Sequence, residues 1–379
     1  MARMTRLRHI ALVGGLEYAV VREILHGVQR HAHRDKPWVF RHYRTRDGRC
    51  DVIPPWRPDG IVAQVNDGDL ARDLASLGVP VVNISNVLRD PPFPTVSVDN
   101  AAVGRLAADH FLGRGFRSFG YVPLANCHFS VEREAAFAET LAAARLAYSV
   151  SPAAVGDKVV SPAVIEWLRS LAKPAAVFVC TDWLAVQVSE CCREGGIGVP
   201  DPVALLGVSD DSFLCQMTWP PLSSIRAPNA TIGAEAARLL AGLMDGGAAP
   251  DRRVLIPPSL VVARGSTDVH AATEPIVAEA LAFMEANASR DIRVTDVLDR
   301  VLVSRRRLEQ VFLAALGRTP LDQINRMHCQ VARQLLVETD RPMDDVARGS
   351  GFSGPERMAK VFRRVVGSSP IAFRRLHRA

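Results

Sequence analysis

The stretch Asp345–Arg374 reads DVARGSGFSGPERMAKVFRRVVGSSPIAFR, and a looser version of it, DVLDRVLVSRRRLEQVFLAALGRTP, occupies Asp296–Pro320. Phe312-Leu-Ala-Ala-Leu-Gly317-Arg-Thr-Pro320 falls on Phe362-Arg-Arg-Val-Val-Gly367-Ser-Ser-Pro370 with every position shifted by 50. Val297 stands seven residues before Ser304, and Val346 stands seven before Ser353. Two copies of one helical unit of roughly 50 residues are therefore present. Each copy reads as helix, tight turn, helix. In the first, Val294–Val301 is a short helix, Leu302-Val303 the turn, and Ser304 the N-cap of a helix over Arg305–Leu316. In the second, Met343–Gly349 is the short helix and Gly351-Phe352 the turn. Ser353-Gly-Pro-Glu356 has the spacing of a capping box, in which serine and glutamate satisfy each other's backbone donors. Thr319-Pro320 and Ser369-Pro370 pair a cap with a first-turn proline for the helix after each unit.

Leu308, Val311, Phe312 and Leu316 recur at helical spacing and face inward, as do Met358, Val361 and Phe362. The outward face of the first long helix then carries Arg305, Arg306, Glu309 and Gln310. That of the second carries Glu356, Arg357, Lys360 and Arg364. A helix fits the major groove, where arginine bonds guanine bidentately and glutamine bonds adenine. Lys360, Arg363, Arg364 and Arg333 suit phosphate contacts, which set register rather than sequence. Arg307 lies nearer the packed side, where a structural ion pair is an equal alternative. From Ala271 onward there are 18 Lys/Arg against 13 Asp/Glu, and before it 28 against 27, so most of the net +6 sits on the helical tail. A basic tail with two such helices points to double-stranded DNA as partner. A helical bundle with a solvated basic face is the plain alternative, and the repeat with its matching turns argues against it.

Asp345-Val-Ala-Arg-Gly-Ser-Gly-Phe-Ser353, Phe362 through Pro370, and Phe373-Arg374 resemble the signature of the arabinose-operon regulator (AraC) family over about 100 residues. The resemblance implies a double helix-turn-helix joined by a helix over Arg326–Thr339, reading two successive major-groove turns on one DNA face. It extends the DNA contacts to Ser304 and Ser353 at the starts of the two long helices. Leu302 stands where that family often has glycine, so the first turn is expected to be less regular.

The rest of the chain has another rhythm. Between Arg8 and Arg264, apolar runs rich in β-branched residues (Ile10–Val13, Gly60–Val65, Val79–Ile84, Phe119–Val122, Ala175–Cys180, Val203–Val208) alternate with amphipathic stretches. The latter are Val21–Ala32, Leu70–Leu77, Ala101–Leu112, Arg133–Ala144, Pro162–Leu171, Leu184–Glu194 and Ile232–Met244. Such alternation predicts an α/β fold with two doubly wound parallel sheets. Gly265–Thr273 is small and polar and reads as a linker. The predicted organisation is a ligand-sensing domain over 1–266, a linker over 267–273 and the all-α double helix-turn-helix over 274–379.

In parallel sheets ligands bind at the carboxyl ends of strands. Asp99-Asn100 follows Thr95–Val98, Thr181-Asp182 follows Val177–Cys180, and Ser209-Asp210-Asp211 follows Leu205–Val208. Carboxylates gathered there suit a ligand rich in hydroxyl donors, such as a sugar. Arg133, after the polar loop Asn126–Ser130, offers a fork of donors. The plain alternatives are a helix cap for each aspartate and an ion pair of Arg133 with Glu132 or Glu134. Trp183 and Trp219 suit core packing more than stacking on a sugar.

These segments resemble the sugar-responsive domain of the lactose/galactose repressor family, itself similar to periplasmic sugar-binding proteins. The matching residues include Asp59-Gly60-Ile61, Val98-Asp99, Arg133 with Phe137, Cys180-Thr-Asp182, Leu206-Gly207-Val208 and Pro220-Pro221-Leu222-Ser223-Ser224-Ile225. The resemblance implies two lobes with a monosaccharide, a pentose for example, between them, and contacts at Asp99, Arg133, Thr181, Asp182 and Asp210. Ser209 stands where that family has an acidic residue. The order, sensor first and DNA module last, resembles that of the xylose-operon activators, and implies a cytoplasmic homodimer acting on an operator and on RNA polymerase.

Enzyme chemistry finds no support. No HExxH, GxSxG, P-loop or zinc spacing occurs, and Gly14-Gly15 lacks the third glycine of a dinucleotide fingerprint. No cofactor, metal or membrane partner is expected. The seven scattered cysteines read as reduced thiols of a cytoplasmic protein.

Overall fold

The computed structural model describes residues 7–35, 38–46, 49–50, 57–152, 161–248, 252–272 and 274–378. Residues 1–6, the Cys50 side chain and Thr273, on which some expectations fall, lie outside the described residues. The first lobe is built from β1 (Arg8–Val13), α1 (Ala19–Asp35), β2 (Trp38–Tyr43), a small ribbon of β3 (Thr45–Arg46) and β4 (Arg49–Cys50), β5 (Gly60–Ala63), α2 (Gly68–Ser76), β6 (Val81–Asn83) and β7 (Thr95–Val98). The second runs through α3 (Asn100–Gly113), β8 (Ser118–Val122), α4 (His128–Ala143), β9 (Ser149–Val150), α5 (Pro162–Ser170), β10 (Ala175–Val179), α6 (Asp182–Glu194), β11 (Val203–Ser209), α7 (Ser212–Met217) and β12 (Ser223–Arg226). The chain returns to the first lobe for α8 (Asn229–Met244) and β13 (Arg253–Ile256), then crosses back for β14 (Val261–Val262).

Six strands form each sheet, ordered β13-β7-β6-β5-β1-β2 and β14-β12-β11-β10-β8-β9. Apart from the antiparallel β12–β14 pair, every pairing within these two sheets is parallel. Parallel strands are covered on both faces, which explains why Ile10, Ala11, Leu12 and Val13 are all buried rather than alternating. The predicted two-lobed α/β architecture is therefore present. The edge strands β2 and β13, and β12 beside the edge strand β14, lacked a long apolar run and were not legible as strands.

Beyond the sensor come α9 (Pro275–Ala286), α10 (Val294–Val301), α11 (Arg305–Leu316), α12 (Pro320–Glu338), α13 (Met343–Gly349), α14 (Pro355–Val366) and α15 (Pro370–His377). Each helix-turn-helix unit has its own core. Leu281, Met284, Leu308 and Phe312 fill the first. Leu336, Phe352, Met358, Phe362 and Phe373 fill the second.

Three expectations need correction. The capping box at Ser353 does not form, because α14 begins at Pro355 with Gly354 as its cap and no side-chain cap bond. Proline has no N–H and a fixed φ, so it takes the first helical position and pushes Ser353 out of register. The segment 267–273 is not a free linker at its start: Thr267 is buried, with its Oγ1 2.7 Å from Ser223 Oγ. Trp183 and Trp219 are 47% and 90% exposed, so neither packs in the core.

The turn of the first unit places Leu302 at φ 52°, where the second has Gly351 at φ 78°. A left-handed conformation crowds any Cβ, and Leu302 is 86% exposed, so its side chain gains little from packing. Leu302→Gly is expected to raise stability by about 1 kcal/mol, partly offset by the freer unfolded chain. A denaturant midpoint equal to or below that of the unaltered protein contradicts this.

Candidate nucleic-acid interface and ligand cleft

The two long helices present their outer faces differently. In α11, Ser304 caps the helix by accepting from Arg307 N at 3.2 Å. Arg305 is held by Glu309 at 3.0 Å, one turn on, whereas Arg306 and Gln310 are exposed and make no hydrogen bond or ion pair within the described residues. In α14, Glu356, Arg357 and Lys360 are likewise exposed and unengaged, and Arg364 lies 3.8 Å from Asp322 of α12. Because the helices Arg305–Leu316 and Pro355–Val366 are offset by 50, Arg307 is the counterpart of Arg357. Arg307 approaches Glu274, the residue before α9, at 3.8 Å, the ion-pair alternative.

Arg333 departs from its expected role as a phosphate contact. Its guanidinium lies over the Phe373 ring at 5.7 Å, with Nε buried and unpartnered, so it points into the seam between α12 and α15 rather than outward. Burial pushes its pKa down to about 10. The periodicity of α12 could not reveal this, since α15 covers that face only in the folded chain.

Within the sensor, Asp99, Thr181, Asp182 and Asp210 stand just beyond the carboxyl ends of β7, β10 and β11. Two of them cap helices. Asp99 accepts from Ala102 N at 2.8 Å and Thr181 from Leu184 N at 3.3 Å. Asp182 is buried, accepting from Ser224 Oγ at 2.6 Å and Asp211 N at 2.9 Å. A Cβ at Gly207 would stand 2.2 Å from Asp182 Oδ1, so only glycine lets the carboxylate lie across β11. Asp210 is bracketed by two arginines, Arg226 Nε at 2.7 Å and Arg264 Nη2 at 2.6 Å. Arg133 is buried. It donates to Asn100 Oδ1 at 2.9 Å and to Cys180 O, with Phe129 stacked at 4.9 Å, and it pairs with neither Glu132 nor Glu134. Two cavities, of about 510 and 640 Å³, include none of these five residues.

Burial raises the Asp182 carboxyl to about 6, with Asp210 and Asp211 adding to the rise and the bonds from Ser224 and Asp211 opposing it. The unfolded group titrates near 3.8, so the folded state holds this proton more tightly. Its ionisation therefore costs stability progressively between pH 4 and 6, and fully above that window. Asp182→Asn, neutral at every pH, is expected to be about 1–3 kcal/mol more stable than the unaltered protein at pH 8, without sugar. The advantage disappears by pH 4. A difference that does not change with pH contradicts the shift.

Sequence reasoning missed the groups that tie the lobes together. Glu132 of α4 accepts from Asn86 Nδ2 at 2.8 Å and Asn100 Nδ2 at 3.0 Å, and pairs with Arg253 of β13 at 3.0 Å. Burial works to raise its pKa, but the bonds from Asn100 and Arg253 outweigh it and hold the carboxyl low. No spacing rule connects Asn86, Glu132 and Arg253, because they meet only across the lobes.

A periplasmic binding protein-like domain model matches residues 108–267, and a helix-turn-helix domain model matches 297–376. The xylose operon regulatory protein of Escherichia coli (strain K12) is 26% identical over 382 residues, spanning 98% of this chain and 97% of that protein. An AraC-like transcription regulator of Streptomyces lividans is 29% identical over 102 residues, 27% of this chain and 34% of its own. The solved structure of the xylose-binding transcription activator xylR aligns over all of both chains, with TM-score 0.63 and 25% identity.

The chain is a transcription regulator with an AraC-type helix-turn-helix domain.

Along the chain the periplasmic binding protein-like match precedes the helix-turn-helix match. The relatives named above are regulators of transcription, not enzymes. Among the described residues no group of three or more His, Cys, Asp or Glu could hold a metal ion, and no helix is long and apolar enough to cross a membrane. Of the described cysteines, Cys127 is half-buried and Cys180, Cys191, Cys192, Cys215 and Cys329 are buried, all as free thiols.

This regulator docks its DNA half onto the sensor through polar contacts. Arg117 reaches Ala314 O at 2.9 Å, Gln323 Nε2 reaches Gly113 O at 3.2 Å, and Arg114 reaches Glu285 at 2.9 Å. His270, with Arg114, also draws the Glu285 carboxyl down to about 2.

Proposed function

We propose that this regulator binds a monosaccharide of the pentose class between its lobes and changes its grip on an operator in response. The reading assigns sugar contact to Asp99, Arg133, Thr181, Asp182 and Asp210. Base contact falls to Arg306, Gln310, Glu356 and Arg357, with Arg305 and Glu309 beside them. Ser304, Ser353, Lys360 and Arg364 serve the phosphate backbone; Arg333 braces the helices instead. A homodimer in the cytoplasm, contacting RNA polymerase near its operator, completes the assignment. Domain limits at 1–266, 267–273 and 274–379 remain part of the proposal, with the buried Thr267 favouring a slightly later end for the sensor.

The observation that carries it is the end-to-end likeness to a xylose operon regulatory protein, covering 98% of this chain. The convergence of hydroxyl-accepting carboxylates at the strand ends is consistent with such a ligand. A bound sugar favours whichever lobe arrangement it binds more tightly, and any difference in DNA affinity follows from that preference. The test titrates D-xylose, then L-arabinose, D-ribose and common hexoses, against operator binding by the full chain. One of them is expected to change operator affinity about fivefold or more. Binding of none, or binding with DNA affinity unmoved, discards the reading.

A further inference from the structure

We propose that Arg226 is the positioning residue that connects the sugar cleft to the DNA-binding half, by holding Asp210 and Glu338 of α12 in one guanidinium fork. The inference rests on the assignment of Asp210 as a sugar contact. Arg226 ends β12 and its Nε donates to Asp210 Oδ2 at 2.7 Å. From the same guanidinium, Nη1 lies 3.2 Å from Oε1 of Glu338, the last residue of α12. The other oxygen of Asp210 is taken by Arg264 at 2.6 Å. Glu338 is steadied by Gln334 Nε2 at 3.1 Å.

The backbone beneath Asp210 is held in an unfavourable conformation, with Ser209 at φ 129° and Asp210 at φ 58°. Residues other than glycine stay there only when their surroundings over-determine them, as sites that respond to ligands often do. Here the restraints are the two arginines and the bond from Asp210 N to Ser224 Oγ at 2.9 Å. The Asp210 side chain is only 7% exposed, so water does little to screen it.

Each oxygen of Asp210 has already given one acceptor site to an arginine. Sugar hydroxyls that donate to Asp210 compete for the rest. A guanidinium is planar and rigid, so Arg226 cannot re-aim Nε without also moving Nη1 against Glu338. Glu338 belongs to the helix on which the second unit's α13, α14 and α15 pack. Sugar at Asp210 thus alters the hold of the sensor on α12, and DNA that fixes α12 alters sugar affinity by the same factor. Arg226 and Glu338 are 28% and 40% exposed, so this link supplies a few-fold share of the coupling. Other seam contacts, such as Gln330 Nε2 to Val261 O at 3.4 Å, carry the remainder.

The test measures sugar and operator dissociation constants, each with and without the other ligand, for the unaltered full chain, Glu338→Gln and Arg226→Lys. D-xylose is the first probe, replaced by whichever sugar of the panel binds. In Glu338→Gln both constants measured alone are expected to stay within about twofold, while the coupling factor falls about threefold toward unity. Arg226→Lys keeps the charge but loses the fork, and is expected to lose the same coupling; combining the two substitutions adds no further loss. Coupling unchanged in both variants overturns the proposal. So does an operator affinity that drops equally with and without sugar, the signature of a merely structural pair. An unaltered chain that binds no sugar overturns the cleft assignment, and this inference with it; one that binds sugar with full coupling in both variants overturns this inference alone.

Discussion

Replacing both Arg306 and Arg357 by alanine in the full chain is expected to weaken binding to a selected operator by about 30-fold to 25,000-fold. One arginine sits on each recognition helix, and both are exposed without an intramolecular partner among the described residues. Nothing within the chain competes for these guanidinium groups, so their donors are available to base edges. A base-reading arginine is worth about 1–3 kcal/mol, and contributions from separate units add. Arg305 is the instructive contrast, because Glu309 already holds it at 3.0 Å, and Arg305→Ala alone should cost less. The measurement is operator affinity by fluorescence anisotropy at fixed salt, against duplexes altered one base pair at a time. Base readers lose discrimination at particular positions; phosphate contacts lose affinity uniformly and flatten the salt dependence. A double variant within threefold of the unaltered chain rules out these helices as the reading elements.

The second large effect is expected at Asp210. Asp210→Asn keeps the shape of the side chain but removes the charge that balances Arg226 and Arg264. Sugar affinity is expected to fall about 10- to 100-fold, because a charged acceptor is worth roughly 1.5–3 kcal/mol to a hydroxyl donor. Folding stability is expected to fall by about 2 kcal/mol. Breaking a fully buried pair costs more, and the two arginines, 28% and 22% exposed, retain some hydration. Calorimetric titration and denaturant unfolding read the two effects separately. Stability lost with sugar affinity intact removes Asp210 from the cleft assignment; affinity lost with stability intact means that the arginines do not depend on it.

Much of the fold could be read before any coordinates. The boundaries Val294–Val301, Arg305–Leu316 and Met343–Gly349 follow from caps, left-handed turns and apolar spacing, all of which act within a few residues. The buried strands were legible because a strand covered on both faces must be apolar throughout. Ser353 shows the limit of a motif, since the neighbouring Pro355 moved the helix start past it. The cleft was legible as a set of strand ends, but not in the state of its groups. Asp99 and Thr181 turn out to cap helices, and Asp182 lies beneath the surface.

The sequence alone settled the sheet-and-helix alternation, the tandem units and the surplus of arginine on their outer faces. These depend on side-chain periodicity and on local backbone satisfaction, interactions that close over one or two helical turns. Only the tertiary structure decided which charges meet. Glu132 finds Arg253 across 121 positions, and Arg226 finds Glu338 across 112. Such pairs arise because the chain passes between lobes and folds its last helices back on the sensor, and the free energy of a charge depends on the partner and burial that this path supplies.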